Sequence, residues 1–362
     1  MNMMAIAEVD HGTTTVPEGI SAARLKLAAN ITMLRPVSHG DGQAGFVAGL
    51  GNGQLVSFDT DGEPGSDLVG HRAAVTGMVG YAGTVFTTAQ DSCLIRHDLD
   101  AGKSETVLQV AGQWLHGLTR SAATGRIACI ARKAVHVLPD GSGPDMADFH
   151  FDTHPSSASG VAFSPDGQRI AVAHYDGITL WPLDGSGDGE VLKWKGSHIG
   201  VTWSPDGRFI VSATQERELH VWDLVTEKDY RLGGYPAKTH SMVWTMPDQG
   251  PVKLACSGAD VITAWPFGDV GPGRLPPVEI GYVYTGRVTQ VAANPVRPLV
   301  AGGYTVGTVL VGGLAKGEAM FARTADGSEI SSLAWAEDGM VLAAGTRGGD
   351  VELMSVRDLA VS

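Results

Sequence analysis

Apolar residues in this chain fall into short runs separated by Gly, Pro, Asp and Asn, and nowhere do they recur at helical spacing. Two segments show the underlying unit clearly: GVAFSPDGQRIAVAHYDGITLWPL from Gly160 and GVTWSPDGRFIVSATQERELHVWDL from Gly200. Each reads as an apolar strand, a Pro-Asp-Gly turn, a second strand ending in small residues, and a third strand closing on an aromatic. The second strands (RIAVAHYDG, FIVSATQE, VKLACSGAD, LVAGGYTVG, VLAAGTRGG) are continuously apolar, which predicts burial on both faces. The third strand alternates: in ELHVWDL, Leu219 and Val221 are set against His220 and Trp222.

The first apolar position of each unit falls at Ile31, Val75, Leu115, Ala158, His198, Thr239, Val288 and Ile330, at intervals of 44, 40, 43, 40, 41, 49 and 42 residues. A period near 40 with four strands per unit is that of a propeller blade, which cannot bury both faces alone and must stack on its neighbours. The predicted fold is therefore all-β: one closed β-propeller of four-stranded antiparallel blades, eight expected and seven the alternative. The longest interval carries GDVGPGRLPPVEIGYVYTG from Gly268, read as an elongated turn. After DVELMSV from Asp350 no outer strand remains for the last unit, whereas SAARLKLAAN from Ser21 alternates apolar and polar residues ahead of the first. The N-terminal strand is thus expected to complete the last blade and close the ring, removing an exposed sheet edge. Residues 1–19 are expected to form a flexible arm and 20–360 the propeller.

Composition narrows the function. The chain is 43% hydrophobic and 18% charged, enough apolar residue for a core, with 49 glycines for many tight turns. A net charge of −13 argues against nucleic acid or an anionic membrane as partner. Three cysteines imply no disulfide framework, and no apolar run is long enough to span a bilayer, so a cytoplasmic monomer is expected. There is no P-loop, C-x-x-C or H-E-x-x-H, and the Ser-Pro-Asp-Gly runs at Ser164 and Ser204 lack the flanks of a nucleophile elbow or a calcium loop. Cys129 and Cys256 share the position of Thr87 and Ser212 and read as small buried residues. An enzyme, such as a hydrolase or lyase with its site in the channel, is the minority reading.

The Gly70-His71 dipeptide, Asp91 in the tight turn that follows and the Trp222-Asp223 dipeptide resemble the WD-repeat β-propeller family. The resemblance implies a hydrogen-bonded cluster within a blade, using His71, Thr87 and Asp91 in the second unit, where His97 replaces Trp, and Ser212 and Trp222 in the fifth, where Glu216 replaces Asp. It also implies a binding face where the innermost strands begin. The run KGSHIGVTWSPDGRFI, with GYPAK and AWPFGD, is similar to stand-alone bacterial propellers associated with CobW-type metal-chaperone GTPases.

Two residue sets on that rim are candidates. Trp114, Lys238 and Arg287 immediately precede innermost strands, and Tyr175, Tyr304 and Arg347 lie in turns expected on the same face. An aromatic among cations has the composition of an interface hot spot, and basic groups on an acidic body point to an acidic or extended peptide. His116, His198 and His240 crowd the same rim and form a candidate zinc site. The expected function is a non-enzymatic scaffold binding a partner protein or peptide; the alternative is a zinc-binding or small-molecule-binding propeller of metal homeostasis.

Overall fold

In the computed structural model, the structure describes residues 22–38, 42–66, 68–141, 148–246 and 250–356, so the expected arm at 1–19 lies outside the described residues. The architecture is an all-β propeller. The first strand of each unit lies innermost: Ile31–Ser38, Val75–Tyr81, Leu115–Ser121, Gly160–Phe163, the second half of Glu190–Trp203, Met242–Trp244, Val288–Ala293 and Ile330–Trp335. Successive strands pair antiparallel outward from these. No helix is long and apolar enough to cross a membrane among the described residues.

The N-terminal strand closes the ring as its pattern predicts. Ala22–Lys26 pairs antiparallel with Asp350–Ser355, in register from Ala22 with Met354 to Lys26 with Asp350. The expectation of eight separate four-stranded blades needs correction, because hydrogen bonding groups the strands into seven sheets. The fourth and fifth units share one six-stranded sheet through two 14-residue strands, Arg169–Pro182 and Glu190–Trp203. Their chains bend at Asp176-Gly177 and Gly196 through positive φ rather than looping away, and Tyr175 pairs with Ser197 across the join. The first unit has three strands, with an isolated bridge from Phe58 to Pro64 in the outer place.

Apolar layers between neighbouring sheets form the core, as the first and last units illustrate: Ile31, Leu34, Phe46 and Phe58 pack with Ala343, Val351 and Leu353. The small residues of the second strands now have a steric cause. A Cβ on Gly345 would lie 2.6 Å from Ile31 Cγ2, so the last unit's second strand can approach the first unit's innermost strand only without a side chain. Gly345→Val is expected to overpack this contact and destabilise the protein by about 1–3 kcal/mol, read from its urea midpoint.

Hydroxyls lace adjacent units around the channel. Thr76 donates to Leu115 O and Ser159 to His198 O, while Thr289 donates to Ile330 O at 2.6 Å and Ser331 to Ile31 O at 2.6 Å. These residues share one position, immediately after the first apolar position of each unit, and the Ser331 bond joins the last unit back to the first. The same position holds His116, Ile199 and His240, which interrupt the ring of hydroxyls.

Candidate functional site

The rim opens into a recess of about 610 Å³ built from the fifth to eighth units. Arg217 comes from the turn between Phe209–Thr214 and Leu219–Asp223, held at a φ of 63°. Lys238 and His240 lie just before Met242–Trp244, Arg287 just before Val288–Ala293, and Arg347 in the turn after Val341–Thr346. Ser257, Thr289, Gln290 and Thr305 add polar groups to the wall. Four permanent cations thus face one carboxylate, Glu329, which is already bonded to Arg347 Nε at 2.8 Å.

The remaining cations are lightly restrained. Lys238 Nζ donates to Gln215 Oε1 at 3.0 Å, and Arg217 Nη1 to Pro236 O at 3.1 Å. The Arg287 backbone N–H donates to Thr305 Oγ1 at 3.1 Å, while its guanidinium makes no hydrogen bond or ion pair among the described residues. His240 is fixed through its backbone N–H to Ser257 Oγ at 3.2 Å, and burial together with the Lys238 charge holds its imidazole below the usual histidine range. Such a recess attracts anions, and each guanidinium offers the planar fork that suits a carboxylate.

Lys238, Arg287 and Arg347, together with His240, therefore line one recess. Trp114 and Tyr175 stand 63% and 52% exposed on the third and fourth units, outside the recess. Tyr304 is fully buried, with its hydroxyl donating to Gly281 O at 2.9 Å, so its expected place on the rim is corrected. The candidate zinc set does not assemble either. His198 is 1% exposed and has both ring nitrogens engaged, with Ser212 Oγ at 2.7 Å and Trp194 O at 2.9 Å. Among the described residues, no group of three His, Cys, Asp or Glu side chains is placed to hold a metal. Arg217 was not identified from the sequence; its signal is its place in the turn after the second strand of its unit, the turn that holds Arg347 three units later.

Inside the blades, polar clusters hold strands together. In the second unit, Asp91 accepts from His71 Nδ1 at 3.0 Å and from the Arg72 backbone N–H at 2.9 Å. Thr87 Oγ1 lies 2.8 Å from both His71 Nε2 and His97 Nε2, and Ser104 Oγ 2.9 Å from His97 Nδ1. With both rings neutral, one proton arrangement satisfies every atom: Ser104 donates to His97, His97 to Thr87, Thr87 to His71 and His71 to Asp91. His97 thus supplies the N–H that an indole supplies in other units. Trp181 Nε1 donates to His154 Nε2 at 2.9 Å in the fourth, and Trp265 Nε1 to Tyr235 Oη at 2.7 Å in the sixth. In the fifth, Ser212 bonds His198, while Trp222 packs edge-on against His220 with ring centroids 4.4 Å apart. Cys129 and Cys256 are buried, with thiols pushed up to about 12 by burial, which makes them inert packing residues.

Part of this series of sheets, each tied by buried His, hydroxyl or indole groups, is matched by comparison with known families. The family described as "WD domain, G-beta repeat" matches residues 148–180 and 185–223. Residues 148–223 therefore match the WD-repeat family within an all-β propeller. "Chromatin assembly factor 1 subunit FAS2 homolog" of Oryza sativa subsp. japonica is 29% identical over 109 residues, covering 27% of this chain and 22% of its own. "WD repeat-containing protein 1" of Bos taurus is 34% identical over 87 residues, covering 22% and 14%. The Taf5 subunit of the SAGA and TFIID complexes in Schizosaccharomyces pombe is 24% identical over 110 residues, covering 26% and 17%. The chain thus matches about a fifth or less of these relatives' own length, and the relatives are eukaryotic rather than of the bacterial stand-alone type expected from the KGSHIG run. Among solved structures, the computationally designed Ika8 protein superposes with a TM-score of 0.71 over 91% of this chain and 97% of its own, at 19% identity, which establishes the fold. WD-repeat propellers serve in general as non-enzymatic interaction scaffolds.

Proposed function

We propose that this propeller is an interaction scaffold whose rim recess receives an acidic segment of a partner protein. One observation carries the reading: four cations converge at the channel mouth of a chain whose net charge is −13. A local field of opposite sign to the body repels nothing acidic at the mouth and orients an approaching anion toward it. Arg287, whose guanidinium has no partner among the described residues, and Lys238, held by a neutral amide, are the groups an incoming carboxylate engages without breaking an existing ion pair. Arg347 contributes from its bond to Glu329.

A fluorescein-labelled glutamate-rich peptide tests this by polarisation. The wild type is expected to bind it, less tightly as salt is raised, and the double variant Lys238→Glu/Arg287→Glu to lose about tenfold or more in affinity with its thermal midpoint nearly unchanged. Absence of binding by the wild type, or an unaltered affinity in the variant, overturns the reading.

A further inference from the structure

The rim carries exposed apolar side chains as well as cations. Large apolar side chains exposed on this face occupy consecutive units: Val69 in the loop before the second unit, Trp114 before the third and Tyr175 in the turn of the fourth, exposed by 63%, 63% and 52%. The cations of the recess occupy the units that follow. An indole left this open forgoes roughly 2 kcal/mol of burial that a better-packed rotamer or a polar residue would not forgo. It also contributes nothing to the blade clusters, which use Trp181, Trp222 and Trp265 instead.

Resting on the acidic-segment reading, we propose that the partner segment is bipartite: its acidic residues enter the recess at Lys238, Arg287 and Arg347, and an aromatic residue of the same segment packs on the arc of Val69, Trp114 and Tyr175. The geometry favours an extended chain, because both surfaces lie on one face around one channel mouth and a folded domain would have to match two unlike patches at once. An aromatic anchor suits Trp114 and Tyr175 better than an aliphatic one, since rings stack offset or edge-on and gain about 0.5–1.5 kcal/mol beyond the area they bury. Arg72 and Arg132 are exposed on the same arc, so acidic residues flanking the anchor meet cations there as well. Two moderate contacts on one flexible segment give an affinity greater than either alone through effective concentration.

Two labelled peptides separate this proposal from the reading beneath it: a run of glutamates joined by a glycine–serine linker to a terminal tryptophan, and the same peptide ending in serine. The tryptophan peptide is expected to bind about tenfold more tightly to the wild type, and this gain is expected to vanish in the Trp114→Ala/Tyr175→Ala variant and to persist in Lys238→Ala, where both peptides weaken together. Equal binding of the two peptides by the wild type, or a gain that survives in the aromatic double variant, overturns the bipartite site while leaving the acidic reading intact. Failure of both peptides to bind overturns the two together.

Discussion

Glu352→Ala is expected to destabilise the folded ring by about 3–5 kcal/mol, the largest effect of any single substitution outside the apolar core. Glu352 and Arg323 are each only 5% exposed, and Arg323 Nε donates to Glu352 Oε2 at 2.9 Å. The second carboxylate oxygen accepts from Arg24 Nη2 at 3.2 Å. Arg323 also bonds Gly307 O and Asp326, so one guanidinium joins the outer strand of the seventh unit to the last sheet where the N-terminal strand completes it. Removing the carboxylate leaves Arg323 buried with only the half-exposed Asp326 as counter-ion, and the desolvation of a guanidinium is no longer offset. Glu352→Gln keeps an acceptor and should cost less. The double variant Arg323→Met/Glu352→Leu, which removes both charges, should recover most of the loss, because the pair as a whole is near neutral in energy against apolar packing. Urea unfolding of the three variants reads these differences, and a Glu352→Ala midpoint within about 1 kcal/mol of wild type would show that closure does not depend on the pair.

The sequence carried the repeat and its closure because both are written in local patterning: the small-residue second strands, and the alternation of Ala23, Arg24, Leu25 and Lys26 that places Arg24 beside Glu352. Lys238, Arg287 and Arg347 were singled out for the same reason, since the repeat marks where the rim loops fall, whereas Arg217 was not. Departures arose where a neighbour decides the outcome. Tyr304 looks like Tyr175 in sequence, yet its ring turns inward beside Gly286, whose Cβ would stand 3.3 Å from it, into a layer with Ile262 and Val283. His198 sits at a register shift between His198 and Gly200 and meets Ser212 inside its own sheet instead of facing the channel. The merging of the fourth and fifth units turns on one pairing, Tyr175 with Ser197, that no local pattern encodes. The lacing hydroxyls were present in the aligned repeats, but their acceptors are carbonyls of the next unit, visible only once the ring is closed.

Stability is expected to fall as pH drops from about 6.5 toward 4, ahead of any carboxylate. Burial, with the His71 charge beside it, lowers His97 to about 4, and burial, with His198 and Arg231, lowers His220 to about 3. Both therefore remain neutral in the fold while an unfolded histidine takes up a proton near 6.5. A folded value below the unfolded one means that the unfolded state binds more protons in this window, so the stability is complete above 6.5 and is lost on acidification through the folded values. For His97 the difference corresponds to roughly 3 kcal/mol. For His220 the balance has an opposing part: Trp194 stacks on the ring at 3.8 Å between centroids and Trp222 packs edge-on, and indole faces attract an imidazolium by about 1–2 kcal/mol. Burial still prevails: among the described residues neither ring nitrogen has a hydrogen-bond partner, and the exposed Asp229 carboxylate stands 3.8 Å from Nε2, beyond hydrogen-bond reach. Burial likewise lowers His116, His136, His154 and His198, adding to the effect with the same sign. Asp223, lowered to about 2 despite burial by its bonds to Arg208 and Thr226, loses its contribution only below about 4, so the histidine and carboxylate windows separate. His220→Phe preserves the aromatic stack and deletes no hydrogen bond, so it should match the wild type near pH 7.5 and lose less stability by pH 5. Urea midpoints at those two values decide the matter: a wild-type midpoint that does not move between them would overturn the predicted acid sensitivity, and a phenylalanine variant that follows the wild-type curve would place that sensitivity outside His220.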